Sequence, residues 1–231
     1  MSDSTVPVLT IDGPSGAGKG TVAAELAREL GWQVLDSGAV YRALALAALD
    51  RGLETADEQR LSALARALPL SFCPGEEGIA VQLDGRDVSA ALRSEAVSRA
   101  ASHVAALPAV RAALLDLQRD CRQPPGLVAD GRDMGTVVFA DAGLKIFLDA
   151  SVEERARRRF LQLKQKGEQV ILDSLLRDMR ERDRRDRERS IAPTRPAADA
   201  IRIESTGMTQ EQVVERIRAL ARERFGPSRT P

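Results

Sequence analysis

The spacing of apolar and polar positions changes several times along the chain, and each change marks an element. Val6 to Asp12 (VPVLTID) is a short β-branched apolar run ending in a turn signal, the pattern of a strand buried on both faces. Helical periodicity follows from Lys19 to Leu30, Trp32 to Asp36 (WQVLD) predicts a second strand, and Ala39 to Arg51 predicts a second helix. Strand, helix, strand, helix at this spacing implies a parallel sheet. Three more strand-like runs come later, Leu127 to Asp130, Leu144 to Asp149 and Ala200 to Glu204, each leading into helix-like sequence or a loop. The expected fold class is α/β, a five-stranded parallel sheet flanked by helices. Ser151 with Glu154 and Thr209 with Gln212 have the spacing of capping boxes, in which side chains satisfy the orphaned N–H groups of a helix start.

The rhythm breaks between Pro69 and Ser89. Leu70 to Cys73, Ile79 to Leu83 and, after the Asp84-Gly85 turn, Arg86 to Val88 read as a small antiparallel meander. Two helical stretches, about 94–107 and 110–121, return the chain to the main sheet, and the prolines of Gln123 to Gly126 (QPPG) make a turn before the third main strand. The chain is expected to form one domain, with a core at 6–52, 127–152 and 190–225, an insert at about 60–122 and a lid at about 153–170. The tail from Phe225 to Pro231 is expected to fray.

Composition supports this picture. Aromatics are only 3% of 231 residues, so the core is built from Ala, Val, Leu and Ile, against an all-β module. Cys73 and Cys121 are too few for a disulfide framework, fit a reducing compartment and read as buried thiols. There is no CxxC for zinc or redox chemistry, no apolar run near the about 18 residues of a membrane span, and Met1 to Pro7 lacks a signal-peptide layout. A cytoplasmic protein is expected. Formal net charge is zero, yet of 34 basic residues only Lys19, Lys145, Lys164 and Lys166 are lysines. Between Arg155 and Arg189 eleven Arg and two Lys face seven acids. Arginine is a planar fork suited to phosphate oxygens.

The sharpest chemical signal is GPSGAGKGT, Gly13, Pro14, Ser15, Gly16, Ala17, Gly18, Lys19, Gly20 and Thr21, set between a predicted strand and helix. Glycines let backbone N–H groups converge on phosphate, the helix N-terminus adds positive potential, and Lys19 reaches the β- and γ-phosphates. The strict phosphate-loop motif has Ser or Thr directly after the lysine. Here Gly20 intervenes, so Thr21 would serve a Mg²⁺ shell from one position later, directly or through water. DSGAVYR, at Asp36 to Arg42, places Ser37, Tyr41 and Arg42 just past the second strand, at the sheet edge where ligands bind. DGRDMGT, at Asp130 to Thr136, leaves the third main strand, with Asp130 a candidate for the outer Mg²⁺ shell and Arg132 directed to the same edge. The second DGRD, Asp84 to Asp87, sits at a hairpin and reads as turn chemistry. His103 has no partner at metal or catalytic spacing.

GPSGAGKGT, DSGAVYR, DGRDMGTVVF and RERDRRDRERS (Arg180 to Ser190), in this order with an insert between the second and third, resemble the bacterial cytidylate kinases, P-loop enzymes of the nucleoside monophosphate kinase type. The resemblance runs from Val6 to about Phe225. It implies a phosphotransferase that takes ATP with Mg²⁺ and phosphorylates CMP and dCMP, with an Arg-rich lid over ATP. By resemblance, the monophosphate is held at Ser37, Arg42, Arg132 and Arg189 with Tyr41 beside them, the cytosine is read at Ser102, Arg111 and Asp133, and the sugar is met at Arg182 and Asp186. Arg155 is placed beside the adenine and Arg159 near the phosphates, with the choice among Arg155, Arg157, Arg158 and Arg159 left open. Lys19, Arg132, Arg159 and Arg189 are the expected catalytic cations.

Two rival functions follow from the same residues. Another small-molecule P-loop kinase would take a neutral or carboxylated acceptor. A nucleic-acid-binding protein would use the basic 155–189 segment, but acids interleave its arginines and stacking aromatics are nearly absent. A GTP-dependent switch would need an NKxD-type motif, and the sequence has none. The expected partners are small-molecule substrates, with no nucleic acid and no membrane, and the expected state is a monomer.

Overall fold

In the computed structural model, which describes residues 6–75, 78–165 and 167–226, the chain runs β1 (Val8–Asp12), α1 (Lys19–Leu30), β2 (Gln33–Asp36), α2 (Ser37–Leu49) and α3 (Glu58–Arg66). It continues as β3 (Leu70–Gly75), β4 (Gly78–Leu83), β5 (Arg86–Asp87), α4 (Glu95–Val104), α5 (Pro108–Asp120) and β6 (Leu127–Gly131). The last elements are β7 (Leu144–Asp149), α6 (Val152–Gln165), α7 (Leu172–Glu188), β8 (Ile201–Glu204) and α8 (Gln210–Phe225). The expected behaviour of the Cys73 thiol and of the tail beyond Gly226 falls outside the described residues.

Five parallel strands form one sheet in the order β2, β6, β1, β7, β8, and β3, β4 and β5 form a separate antiparallel sheet. β1 is central and buried along its whole length, its apolar Val8, Leu9 and Ile11 joined by the buried polar Thr10 and Asp12. Its side chains still divide between two faces. Val8 joins a core with Leu35, Leu44, Leu61, Val104, Val110, Leu114 and Phe139, beneath α2, α3, α4 and α5. Leu9 and Ile11 join Val22, Leu26, Val128, Ile146, Leu148 and Ile217, beneath α1 and α8. Parallel register brings the carboxyl ends of the strands level: Asp12 pairs with Gly131, Asp36 with Asp130, and Asp149 with Glu204.

Several local details depart from the sequence expectation. α2 starts at Ser37, two residues early, because the Asp36 carboxylate accepts from Ala39 N–H at 2.9 Å and caps it. At α6 only half of the expected capping box forms. Ser151 accepts from Glu154 N–H, while the Glu154 carboxylate turns outward to Arg157 and Arg158. The Thr209 and Gln212 box is complete. α3 and the π-helical turn Met134–Val138 are elements that the periodicity does not reveal. Asp84 and Gly85 both have positive φ, the geometry of a tight hairpin turn, which accounts for the second DGRD.

Among the described residues no single helix is long and apolar enough to cross a membrane, and the bent pair α4 and α5, which passes only when joined across a 103° break, packs into the core it shares with α2 and the parallel sheet.

Gly13 follows β1 with φ of +148°, and a Cβ there would lie 2.0 Å from the Leu148 carbonyl oxygen of the neighbouring strand. Gly13→Ala should therefore lower stability by about 2 kcal/mol or more, read as a reduced urea midpoint, through both clash and backbone strain.

Candidate active site

Two loops and a helix start leave the carboxyl edge of the sheet side by side, the loops after β1 and β6 and the helix α2 directly after β2. The first holds Gly13 to Gly18, with Gly16 and Gly18 in left-handed conformations, and ends at α1 without any side-chain cap or acidic residue in its first turn. Such a start leaves backbone N–H groups free for an anion, and the helix dipole adds positive potential. Lys19, 5% exposed, folds back so that Nζ donates to the Pro14 carbonyl at 2.9 Å and lies 3.7 Å from Asp130. Burial, reinforced by the Arg132 charge, pulls the Lys19 ammonium down to about 8. Burial pushes the Asp130 carboxyl up to about 6, with Lys19 working against the rise and Asp36 adding to it. The departure at Gly20 has a steric reason: a Cβ there would stand 3.2 Å from Asp130 Oδ2.

An open cleft of about 720 Å³ runs from this loop to the start of α2 and under α6, lined by Lys19, Thr21, Arg42, Asp130, Arg132 and Arg159 among others. Arg182 also lines it. Arg42 donates to Asp36 at 2.7 Å, and Arg132 donates to Asp186 at 3.1 Å. Arg182 has a buried Nε with no hydrogen-bond partner. Burial, with Arg132 adding repulsion, pulls its guanidinium down to about 10. Gathered cations with an unsatisfied donor among them make a site that favours an anion.

Beside it lies a second polar cluster. Asp133, 2% exposed, is held by a close ion pair with Arg111 and by Arg189 at 3.5 Å, and the Arg111 guanidinium stands 5.6 Å from the centre of the Tyr41 ring. Arg111 turns inward because the chain breaks at Leu107 and restarts as α5 at Pro108. Ser102, near the end of α4, has a buried Oγ without a partner. Burial, then Arg111, pulls the Arg189 guanidinium down, and burial pushes the Tyr41 phenol up. Arg132 keeps its charge firmly, because Asp186 and Asp130 outweigh its burial. The same cations hold the Asp186 carboxyl low against its own burial.

The structure thus gathers Arg42, Arg132 and Arg182 along the cleft that the glycine loop lines, with Asp186 on Arg132, and places Tyr41, Arg111, Asp133 and Arg189 together beside them, whereas Ser37 is turned to Gln118 of α5. Arg155 stands apart. The resemblance set it beside the adenine, but its side chain is 1% exposed and spends its donors on Asp183 and on the Ser15 and Ala150 carbonyls, behind the loop. Arg159 is the arginine of the expected ATP pair that lines the cleft.

Two residues went unread in the sequence. Gln118, 1% exposed on α5, accepts the Ser37 hydroxyl at 2.9 Å. A polar side chain four and eight positions from Leu114 and Val110, on the apolar face of its helix, was the available sign. Asp12 ends β1 and accepts from the N–H groups of Met134 and Gly135 at 2.8 and 2.7 Å, so it sets the π-helical turn that follows Arg132 and Asp133. Among the described residues no three His, Cys, Asp or Glu side chains form a metal cluster.

Burial pushes the Asp12 carboxyl up to about 7 despite those two backbone bonds. An acid whose pKa is higher folded than unfolded holds its proton more tightly when folded. Its contribution to stability is complete below about pH 4 and is lost as pH rises through about 7. The unfolding free energy of the wild type from urea titrations should fall with pH across this window by up to about 1.4 kcal/mol per unit more steeply than that of Asp12→Asn. Equal slopes would contradict the burial of this charge.

A family model described as cytidylate kinase matches residues 9–223. The cytidylate kinase of Pseudomonas entomophila is 60% identical over 218 residues, 94% of this chain and 96% of that protein. The cytidylate kinase of Bordetella bronchiseptica is 57% identical over 216 residues, covering 94% and 95%. A solved structure of an uncharacterized protein from Eubacterium ventriosum superposes with a TM-score of 0.50 at 11% identity over 93% of this chain and 97% of its own, a likeness of fold alone. On the strength of the family match and of these relatives, the chain belongs to the cytidylate kinase family.

Proposed function

We propose that the protein transfers the γ-phosphoryl group of ATP to CMP and dCMP, giving CDP and dCDP, as a cytoplasmic monomer acting on small molecules. The observation that supports this best is the adjacency of two anion sites at one sheet edge. One is the glycine loop running into an uncapped helix, and the other is the Arg42, Arg132 and Arg182 cluster beside the Asp133 and Arg111 pair. A CMP phosphate supplies the negative charge that these guanidiniums lack. Cytosine offers an exocyclic amine to Asp133 and ring acceptors to Arg111, whereas uracil reverses the donor and loses the match. Ser102 Oγ is a further hydroxyl in need of a partner on that side, and Arg182 and Asp186 are within reach of the sugar.

The reaction asks little covalent chemistry of the protein. An ionised oxygen of the acceptor phosphate forms a bond to the γ-phosphorus as the bond to the β-bridging oxygen breaks, and ADP leaves. No strong base is needed, so catalysis rests on alignment and on charge placed at the equatorial oxygens by Lys19, Arg132, Arg159 and Arg189. The lid, α6 with the turn that follows it, carries Arg159 over the cleft and excludes water. Thr21 and Asp130 fit a Mg²⁺ held chiefly by phosphate and water oxygens, since the missing side chain of Gly20 leaves room against the Asp130 carboxylate. Bound with ATP, that ion neutralises the β- and γ-phosphate oxygens.

A coupled assay with ATP and CMP, dCMP, UMP, AMP or shikimate tests the reading directly. ADP should form fastest with the cytidine nucleotides, and no ADP above background with CMP would refute it. Lys19→Ala should reduce kcat at least about a hundredfold while leaving CMP affinity nearly intact. Asp133→Asn should narrow the CMP to UMP ratio of kcat/KM by about tenfold or more, and an unchanged ratio would remove Asp133 from base reading.

A further inference from the structure

Arg155 on α6 is the largest fully buried side chain among the described residues. Its Nε donates to the Ala150 carbonyl at 2.9 Å, Nη1 donates to the Ser15 carbonyl at 2.9 Å and to Asp183 Oδ1 at 3.2 Å, and Nη2 donates to Asp183 Oδ2 at 2.6 Å. Asp183 lies on α7 next to Arg182, which lines the cleft. A buried pair of this kind contributes little net stability, because desolvation offsets most of the attraction. What it does here is geometric. In a trans peptide the C=O and the following N–H point in opposite directions, so a guanidinium that fixes the Ser15 carbonyl from behind turns the Gly16 N–H the other way. Gly16 is exposed and lines the cleft. It is also packed from the rear, with its absent Cβ only 3.3 Å from Arg155 Cβ and 2.9 Å from Met179 Cε.

We propose that Arg155 is a positioning residue of the phosphate loop, clamped by Asp183, which aims the Gly16 N–H at the triphosphate and ties the loop to the helix that carries Arg182 and Asp186. The inference rests on the reading of Gly13 to Thr21 as the ATP site. It differs from a role in adenine contact, since a strut acts on the phosphates whatever base is attached.

The test is titration calorimetry of the full-length protein with Mg²⁺ and either AMP-PNP or inorganic tripolyphosphate. Three proteins are compared with the wild type: Arg155→Lys, Asp183→Asn, and the double replacement Arg155→Met with Asp183→Leu. The double replacement removes both charges at similar volume and should keep a wild-type melting temperature. All three should bind both ligands about tenfold more weakly, and the double replacement no more weakly than the worse single variant. Weakened AMP-PNP binding with unchanged tripolyphosphate binding would make Arg155 a base contact and overturn the strut. So would a well-folded double replacement that binds both ligands like the wild type. A wild type that turned over CMP but bound neither ligand would overturn the assignment of the loop itself, and the strut with it.

Discussion

Four of the five parallel strands of this sheet end in an acid at the same edge, Asp12, Asp36, Asp149 and Glu204, and the fifth, β6, carries Asp130 one residue before its end. Charge brought together at a sheet edge must be matched, because an unpaired ion out of water costs several kcal/mol. Each acid meets a different partner, and for Asp12, Asp36 and Asp130 the partners belong to the candidate site. Asp12 takes two N–H groups of the π-helical turn, Asp36 caps α2 and holds Arg42, and Asp130 stands against Lys19. Asp149 accepts from the next residue's N–H, and Glu204 accepts from Thr206. Asp12, Asp36 and Asp130 therefore hold the turn after β6, the start of α2 and Lys19 of the glycine loop from below.

Above these acids the balance reverses. Lys19, Arg42, Arg132 and Arg182 crowd one cleft, and Arg182 retains a buried donor with nothing to meet. Mutual repulsion among these cations is tolerated only because Asp36, Asp130 and Asp186 relieve part of it. Under the proposed function a phosphate dianion would relieve the rest, and affinity for the acceptor and the electrostatics of transfer would then have the same origin, a cation excess held in place before the substrate arrives.

The strands, their parallel arrangement and the small meander were legible because short β-branched runs between turn signals have few other solutions. Gly13 to Thr21 was legible because the loop's chemistry is local in sequence. Ser102 and Arg111 were reachable only through family resemblance, since a helix break at Leu107 rather than any composition brings them inward. Asp12 and Gln118 carried weak signs, one as the last residue of a buried strand and the other as a polar residue on an apolar helix face. Arg155 illustrates the opposite failure. Its neighbours in RARRR all have the same chemistry, and only the packing of α6 against α7 distinguishes the one that is buried.

That packing also explains how one basic segment serves several ends. Successive helical residues turn by about 100°, so adjacent arginines face different surroundings. On α6, Arg155 points inward to Asp183, whereas Arg157, Arg158 and Arg159 line the cleft, the first two paired with Glu154. On α7, Met179, Arg182, Asp183 and Asp186 form the inner stripe, whereas Arg184 and Arg187 lie exposed beside Glu181 and Asp183. The outer pairs add little energy, being solvated. They nevertheless keep the outer face from presenting an unbroken cationic strip to nucleic acid. Interleaved acids thus separate a buried ion pair, a set of cleft-lining cations and a neutralised surface within about 35 residues of chain.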